Sequence, residues 1–181
     1  MTTATRIPGY IAGIWDIDPS HSTVGFSVRH MMVSKVRGNF QTFSGEIVTG
    51  ENLEDSKVTA TVDASSITTG TAQRDEHIRS ADFFAVENHP TWEFRSTAVT
   101  ENTLEGDLTI KGVTRPVSFD LEFSGFGPDA WGGTRAGFEA TTTINRNDFG
   151  VDIKMPLEGG GLVVGDKVTI TLEIEGVLRA A

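Results

Sequence analysis

Apolar and polar residues alternate with a period of two along most of this chain, the spacing that puts successive side chains on opposite faces of a β-strand. Val24, Phe26 and Val28 share one face against Gly25, Ser27 and Arg29, and Val58, Ala60 and Val62 interleave with Lys57, Thr59 and Thr61. Trp92 and Phe94 oppose Glu93 and Arg95, while Val117, Phe119, Leu121 and Phe123 oppose Ser118, Asp120 and Glu122. Val168, Ile170, Leu172 and Ile174 oppose Thr169, Thr171, Glu173 and Glu175. Strands apolar on one side predict antiparallel pairing, because parallel strands covered by helices read as nearly continuous apolar runs. The pattern predicts about eight strands, near 15–18 with 22–30, then 35–48, 56–63, 91–99, 104–111, 115–125, 136–146 and 166–178. Turn-like breaks at 50–55, 101–103, 110–115 and 125–133 join neighbours as a meander.

Between Ser66 and Val86 the alternation stops and charge is dense, which predicts one or two short helices. Thr71 is available as an N-cap, Asp75 and Glu76 fall near a first turn, and Ile78 with Phe83 or Phe84 would turn toward the sheet. Such an insert suits one open end of a barrel. Gly159, Gly160 and Gly161 after Pro156 mark a loop. Alternation identifies the buried face without showing whether the sheet closes, so sandwich and barrel both fit it.

The chain has 181 residues, which fits one domain over 1–181 with a short N-terminal segment, 1–14. Its net charge of −10 argues against a nucleic-acid or anionic-lipid surface. With no cysteine there is no disulfide framework, thiol nucleophile or thiolate metal site. The opening stretch to Trp15 carries no apolar signal-peptide core, and no later stretch reaches about 18 uncharged apolar residues, so no integral membrane segment is expected and cytoplasmic residence is.

Local catalytic signatures are missing. There is no G-x-S-x-G elbow or HExxH spacing, and GGGLVVGDK does not match a phosphate loop. His21 reads as a turn residue beside Asp18 and Ser20, and His77 and His89 as surface groups or hydrogen-bonding partners near the insert. No metal, cofactor or catalytic residue is predicted. His30 continues the Val24, Phe26, Val28 row, as a satisfied core histidine or as a polar contact for a ligand. Arg146 continues the row of Thr142 and Ile144, as an ion-paired group or at a ligand headgroup. Arg74 with Asp75 and Arg146 with Asp148 are the remaining polar constellations.

Aromatic residues crowd the strand candidates, where they either fill a core or line a lumen. In the second case the wall is expected to comprise Phe26, Val28, His30, Phe40, Phe43, Trp92, Phe94, Phe119, Leu121, Phe138, Ile144, Arg146 and Ile170. A hydrocarbon guest would gain roughly 0.8 kcal/mol per buried CH₂ before ordering costs.

Four segments taken together resemble the YceI-like proteins, a polyisoprenoid-binding family. They are WDIDPSHSTVGFSVRHMMVSKVRGNF from Trp15, TTGTAQRDEHIRSADFFAVENHPTWEF from Thr68, LTIKGVTRPVSF from Leu108 and INRNDFG from Ile144. The resemblance implies an all-β, extended eight-stranded antiparallel barrel, lipocalin-like, with a short helical insert. It also implies a long apolar cavity for a polyprenyl chain, of the isoprenoid quinone or polyprenyl phosphate type. The family's polar motifs fall on Asp18, Pro19, His21 and Ser22, on Arg74, Asp75 and His77, and on Asn145 and Arg146.

The leading expectation is therefore non-catalytic binding, sequestration or carriage of a long-chain isoprenoid lipid. An enzyme acting on an apolar lipid and a structural or interaction barrel with a packed core are the alternatives. Exposed strand edges would also permit a homodimer.

Overall fold

A computed structural model describes residues 7–30, 33–152 and 164–179. The described residues form one antiparallel sheet of eleven strands that closes on itself. They are β1 (Gly13–Ile17), β2 (Thr23–His30), β3 (Ser34–Phe40), β4 (Phe43–Thr49), β5 (Lys57–Asp63), β6 (Ile67–Thr68), β7 (Thr91–Val99), β8 (Thr103–Ile110), β9 (Val113–Pro128), β10 (Thr134–Asn145) and β11 (Val164–Leu178).

Eight strands form the ring, in the order β1, β4, β5, β7, β8, β9, β10, β11 and back to β1. The other three prolong it. β1 and β2 lie end to end along the same edge of β11, with Trp15 opposite Leu178 and Phe26 opposite Ile170. β3 and β4 form the next row against them, and β6 pairs with β3 at Asn39 and Phe40. The predicted eight rows are these eight, with the 35–48 row broken at Gln41 and Thr42.

Two boundaries differ from the expectation. β9 runs through Gly125 and Gly127 to Pro128, so only 129–133 turns, where Asp129 Oδ1 accepts from the backbone N–H groups of Trp131 and Gly133 at 2.8 Å each. The β8–β9 link is a tight two-residue turn, Lys111 and Gly112, both with positive φ (52° and 77°), the geometry that matches hairpin twist.

The insert supplies one helix, α1 (Ala72–Arg79), preceded by Thr71 at its N-cap position. Its anchor is Asp75, buried, which accepts hydrogen bonds from the Thr69 backbone N–H at 2.8 Å and from the Thr69 hydroxyl. Arg74 Nε donates to that same hydroxyl at 2.7 Å. The adjacent Arg74 and Asp75 thus meet through Thr69, without pairing with each other. The Pro156 to Gly161 loop lies outside the described residues, as does the His30 side chain.

At the end away from α1, residues 7–12 fold across the opening. The Tyr10 hydroxyl donates to the Gly50 carbonyl at 2.7 Å, and the Tyr10 ring packs 5.5 Å from Phe126. Trp15, fully buried, donates its indole N–H to Thr49 Oγ1 at 2.9 Å and sits 5.6 Å from Phe126. This end is closed by aromatic packing around one threonine.

Candidate functional site

The one-sided alternation of the strands turns their apolar rows to the barrel axis, and among the described residues they enclose two neighbouring apolar compartments. The deep one, about 140 Å³, lies among residues from β1 through β5 and β7 through β11. The outer one, about 190 Å³, lies under α1 and the segment after it, between Val28, Val36, Val151, Val164 and Val168. Together they offer about 330 Å³, at the lower edge of the roughly 300–1,000 Å³ typical of small-molecule sites.

Of the wall residues read from the sequence, the deep compartment gathers Phe26, Phe40, Phe43, Trp92, Phe94, Phe119, Leu121, Phe138 and Ile170. Val28 and Arg146 border the outer one, as do Phe26 and Trp92. Ile144 borders neither; it packs against the main core cluster. Val24, Leu104, Leu108 and Leu172 are among the further apolar residues of the deep wall. Ile78 and both Phe83 and Phe84 border the outer compartment, where the sequence reading has Ile78 and one of the two phenylalanines turning toward the sheet.

Rings contact one another around the lumen. Phe94 meets Phe119 edge-on at 5.6 Å, Phe123 meets Phe138 at 5.3 Å, and Phe40 meets Trp92 at 4.7 Å. Two polar side chains at the deep margin, Thr49 and Ser56, are already engaged. Thr49 Oγ1 donates to the Ile11 carbonyl at 2.7 Å and accepts from Trp15, and Ser56 Oγ accepts from the Gly50 N–H at 3.0 Å. The deep compartment therefore presents hydrocarbon and little else, and it can hold a chain but not orient one by directional bonds.

Arg146 is buried at the border of the outer compartment and ion-paired, one of the two readings of its row, but it stands in a turn and not in the strand. β10 ends at Asn145, and Arg146 begins a 3-10 turn through Phe149. Its buried guanidinium donates to the carbonyls of Val151 at 2.7 Å and Gly165 at 2.9 Å, and reaches Asp166 at 3.5 Å in place of Asp148. The side chain straps this turn to the start of β11, which accounts for a buried cation: its N–H groups are met by carbonyl oxygens. Arg74 and His77 also border the outer compartment, with His77 Nε2 3.0 Å from Asp82 Oδ2.

The other motif residues sit at joints of the barrel. Asp18, His21 and Ser22 lie in the link between β1 and β2, where Glu175 of β11 binds them: the Asp18 N–H donates to the Glu175 carbonyl at 2.9 Å, and Ser22 Oγ accepts from the Glu175 N–H at 3.0 Å. The Asp18, His21 and Glu175 side chains converge closely enough to suggest metal ligands. Arg135 supplies the positive charge there, 2.7 Å from Asp18 Oδ2 and 2.9 Å from Glu175 Oε2. Hydrogen bonds from Ser20, then Arg135, then His21 hold the Asp18 carboxyl well below the usual carboxylate range.

The comparisons with known proteins agree with this architecture. The YceI-like domain profile matches residues 15–176. A UPF0312 protein of Staphylococcus aureus is 39% identical over 163 residues, covering 87% of this chain and 94% of its own. One from Ectopseudomonas mendocina is 42% identical over 168 residues, covering 90% and 85%. Among solved structures, Burkholderia cenocepacia BcnA superposes with a TM-score of 0.75 at 21% identity, over 88% of this chain and 98% of that one. A polyisoprenoid binding domain from Saccharophagus degradans, implicated in plant cell wall breakdown, does so with a TM-score of 0.68 at 13% identity, over 93% and 100%. At these identities the two structures speak for the fold, and the profile match, spanning most of the barrel, shows that the chain belongs to the YceI-like domain family.

Proposed function

We propose that this protein binds a long-chain isoprenoid lipid without transforming it, tail first, with the tail in the deep compartment and the headgroup toward the α1 end. The observation that carries this reading is the nearly continuous apolar wall of the deep compartment, with the Thr49 and Ser56 hydroxyls spent on neighbouring groups. Each CH₂ moved from water into it gains roughly 0.8 kcal/mol before the cost of ordering the chain. A structure described as a polyisoprenoid binding domain shares this fold, which is in keeping with the same guest class. Arg74 and His77 at the outer compartment suit the oxygen-bearing head of an isoprenoid quinone or polyprenyl phosphate. Sequestration and carriage both follow from such binding.

Purification without detergent, followed by native mass spectrometry and organic extraction, tests the proposal. An apolar chain compound, bound one per barrel, is the expected result. Repeated recovery of protein without any, together with failure to take up geranylgeraniol from vesicles, would overturn it.

A further inference from the structure

The two compartments share a border. Among the described residues, Phe26 and Trp92 are the side chains that border both. Phe26 is set back into the wall over Gly38 of β3, where a Cβ would stand 2.5 Å from the ring's Cζ. A glycine in a strand often marks such a close approach. Trp92, buried, is wedged edge-on between Phe40 at 4.7 Å and Phe84 at 4.9 Å, and Phe40 in turn lies 6.0 Å from Phe26. The boundary is thus one packed arc of four rings, contributed by β2, β3, β7 and the segment after α1. Neither bordering ring can retreat without displacing a neighbour.

We propose that Phe26 and Trp92 form a throat that selects guests by girth. A single linear or methyl-branched chain threads from the outer into the deep compartment, whereas fused-ring and two-tailed lipids are held out. This rests on the lipid-binding reading above. The deep compartment has few free polar groups with which to tell one hydrocarbon from another, so discrimination falls to shape. Close-packed rings resist widening, because an interior at crystal-like density deforms by discrete repacking and not by gradual stretch.

The test equilibrates delipidated full chain with dioleoylphosphatidylcholine vesicles carrying equal amounts of geranylgeraniol and cholesterol, and reads the bound lipid by native mass spectrometry. Wild-type protein is expected to take geranylgeraniol at least about tenfold over cholesterol or phosphatidylcholine. Phe26→Ala should raise the cholesterol to geranylgeraniol ratio about tenfold, and Trp92→Phe, a gentler change in the same arc, should move it in the same direction if Phe26→Ala does not fold. Wild-type protein that loads cholesterol or phosphatidylcholine as readily as geranylgeraniol overturns the throat, as do folded variants that keep the wild-type ratio; both leave lipid binding intact. Wild-type protein that takes up none of the three overturns both proposals.

Discussion

The Phe94 ring stands over Gly106 on the neighbouring strand, so close that a Cβ at Gly106 would lie 2.5 Å from Phe94 Cζ and 2.6 Å from the Arg95 carbonyl oxygen. Phe26 of β2 and Gly38 of β3 repeat the relation, with a Cβ at Gly38 2.5 Å from Phe26 Cζ. Both glycines are recesses that keep large rings off the axis. Gly106→Ala is expected to cost about 1–3 kcal/mol through forced displacement of the ring or the strand. Urea unfolding reads this as a lower midpoint at unchanged slope. A wild-type midpoint would mean the contact relaxes freely.

Thr49 organises the closed end through one oxygen, accepting from the Trp15 indole at 2.9 Å and the Gly13 N–H at 3.0 Å. Thr49→Val keeps the shape and removes that acceptor, leaving a buried indole N–H unpaired, at an expected cost of about 1–3 kcal/mol. In a Trp15→Phe background the same change should cost less, since one of the two donors is gone. Equal costs in both backgrounds would assign the loss to packing.

Arg146 is expected to act on the barrel before it acts on any guest. Arg146→Lys retains the charge but loses the fork that reaches Val151 and Gly165, so the melting temperature should fall and amide exchange at the start of β11 should quicken. Unchanged melting with impaired lipid uptake would instead place the guanidinium at the headgroup.

Asp18 ties stability to pH. Its carboxyl is held low in the folded chain by Ser20, Arg135 and His21. A depressed folded value contributes stability that is fully present above the unfolded carboxylate range and is lost as pH falls toward the folded value. Asp18→Asn should therefore lower the melting temperature most at neutral pH, with the gap to wild type closing in strong acid. A gap that stays constant with pH would show the hydrogen bonds, and not the charge, to be what matters.

Ala140 borders the deep compartment and is itself buried. Ala140→Leu adds side-chain volume to that space. A folded variant with reduced uptake of geranylgeraniol is expected if the lumen houses the tail. Undiminished uptake would move the guest elsewhere.

Much of the barrel is legible in the chain because its signal is local. The predicted 166–178 strand, for instance, alternates from Val168 to Glu175 and appears as β11, Val164–Leu178. The break at Gln41 and Thr42 is not legible, since Phe40 and Phe43 are both apolar and the alternation slips there without a turn residue. Closure is not legible either: the pairing of Trp15 with Leu178 joins residues from the two ends of the chain, and no window of sequence holds both. Wall residues could be read because facing is a property of one strand. Arg146 shows the limit. Its row was correct up to Asn145, but its carbonyl partners come from Val151 and Gly165, across a turn that alternation does not describe. The throat likewise depends on which ring lies over which glycine, a relation between strands.

β11 pairs with β10 along one edge and with β2 and β1 in succession along the other. It is also the last of the eleven to leave the ribosome. Until it docks, the nascent chain is an open sheet with an apolar face and unpaired edges, the form most prone to stick to its neighbours. The greasy interior is therefore sealed only once β11 has been made and docked, and a chain stalled before Val164 has no way to hide what it has already made.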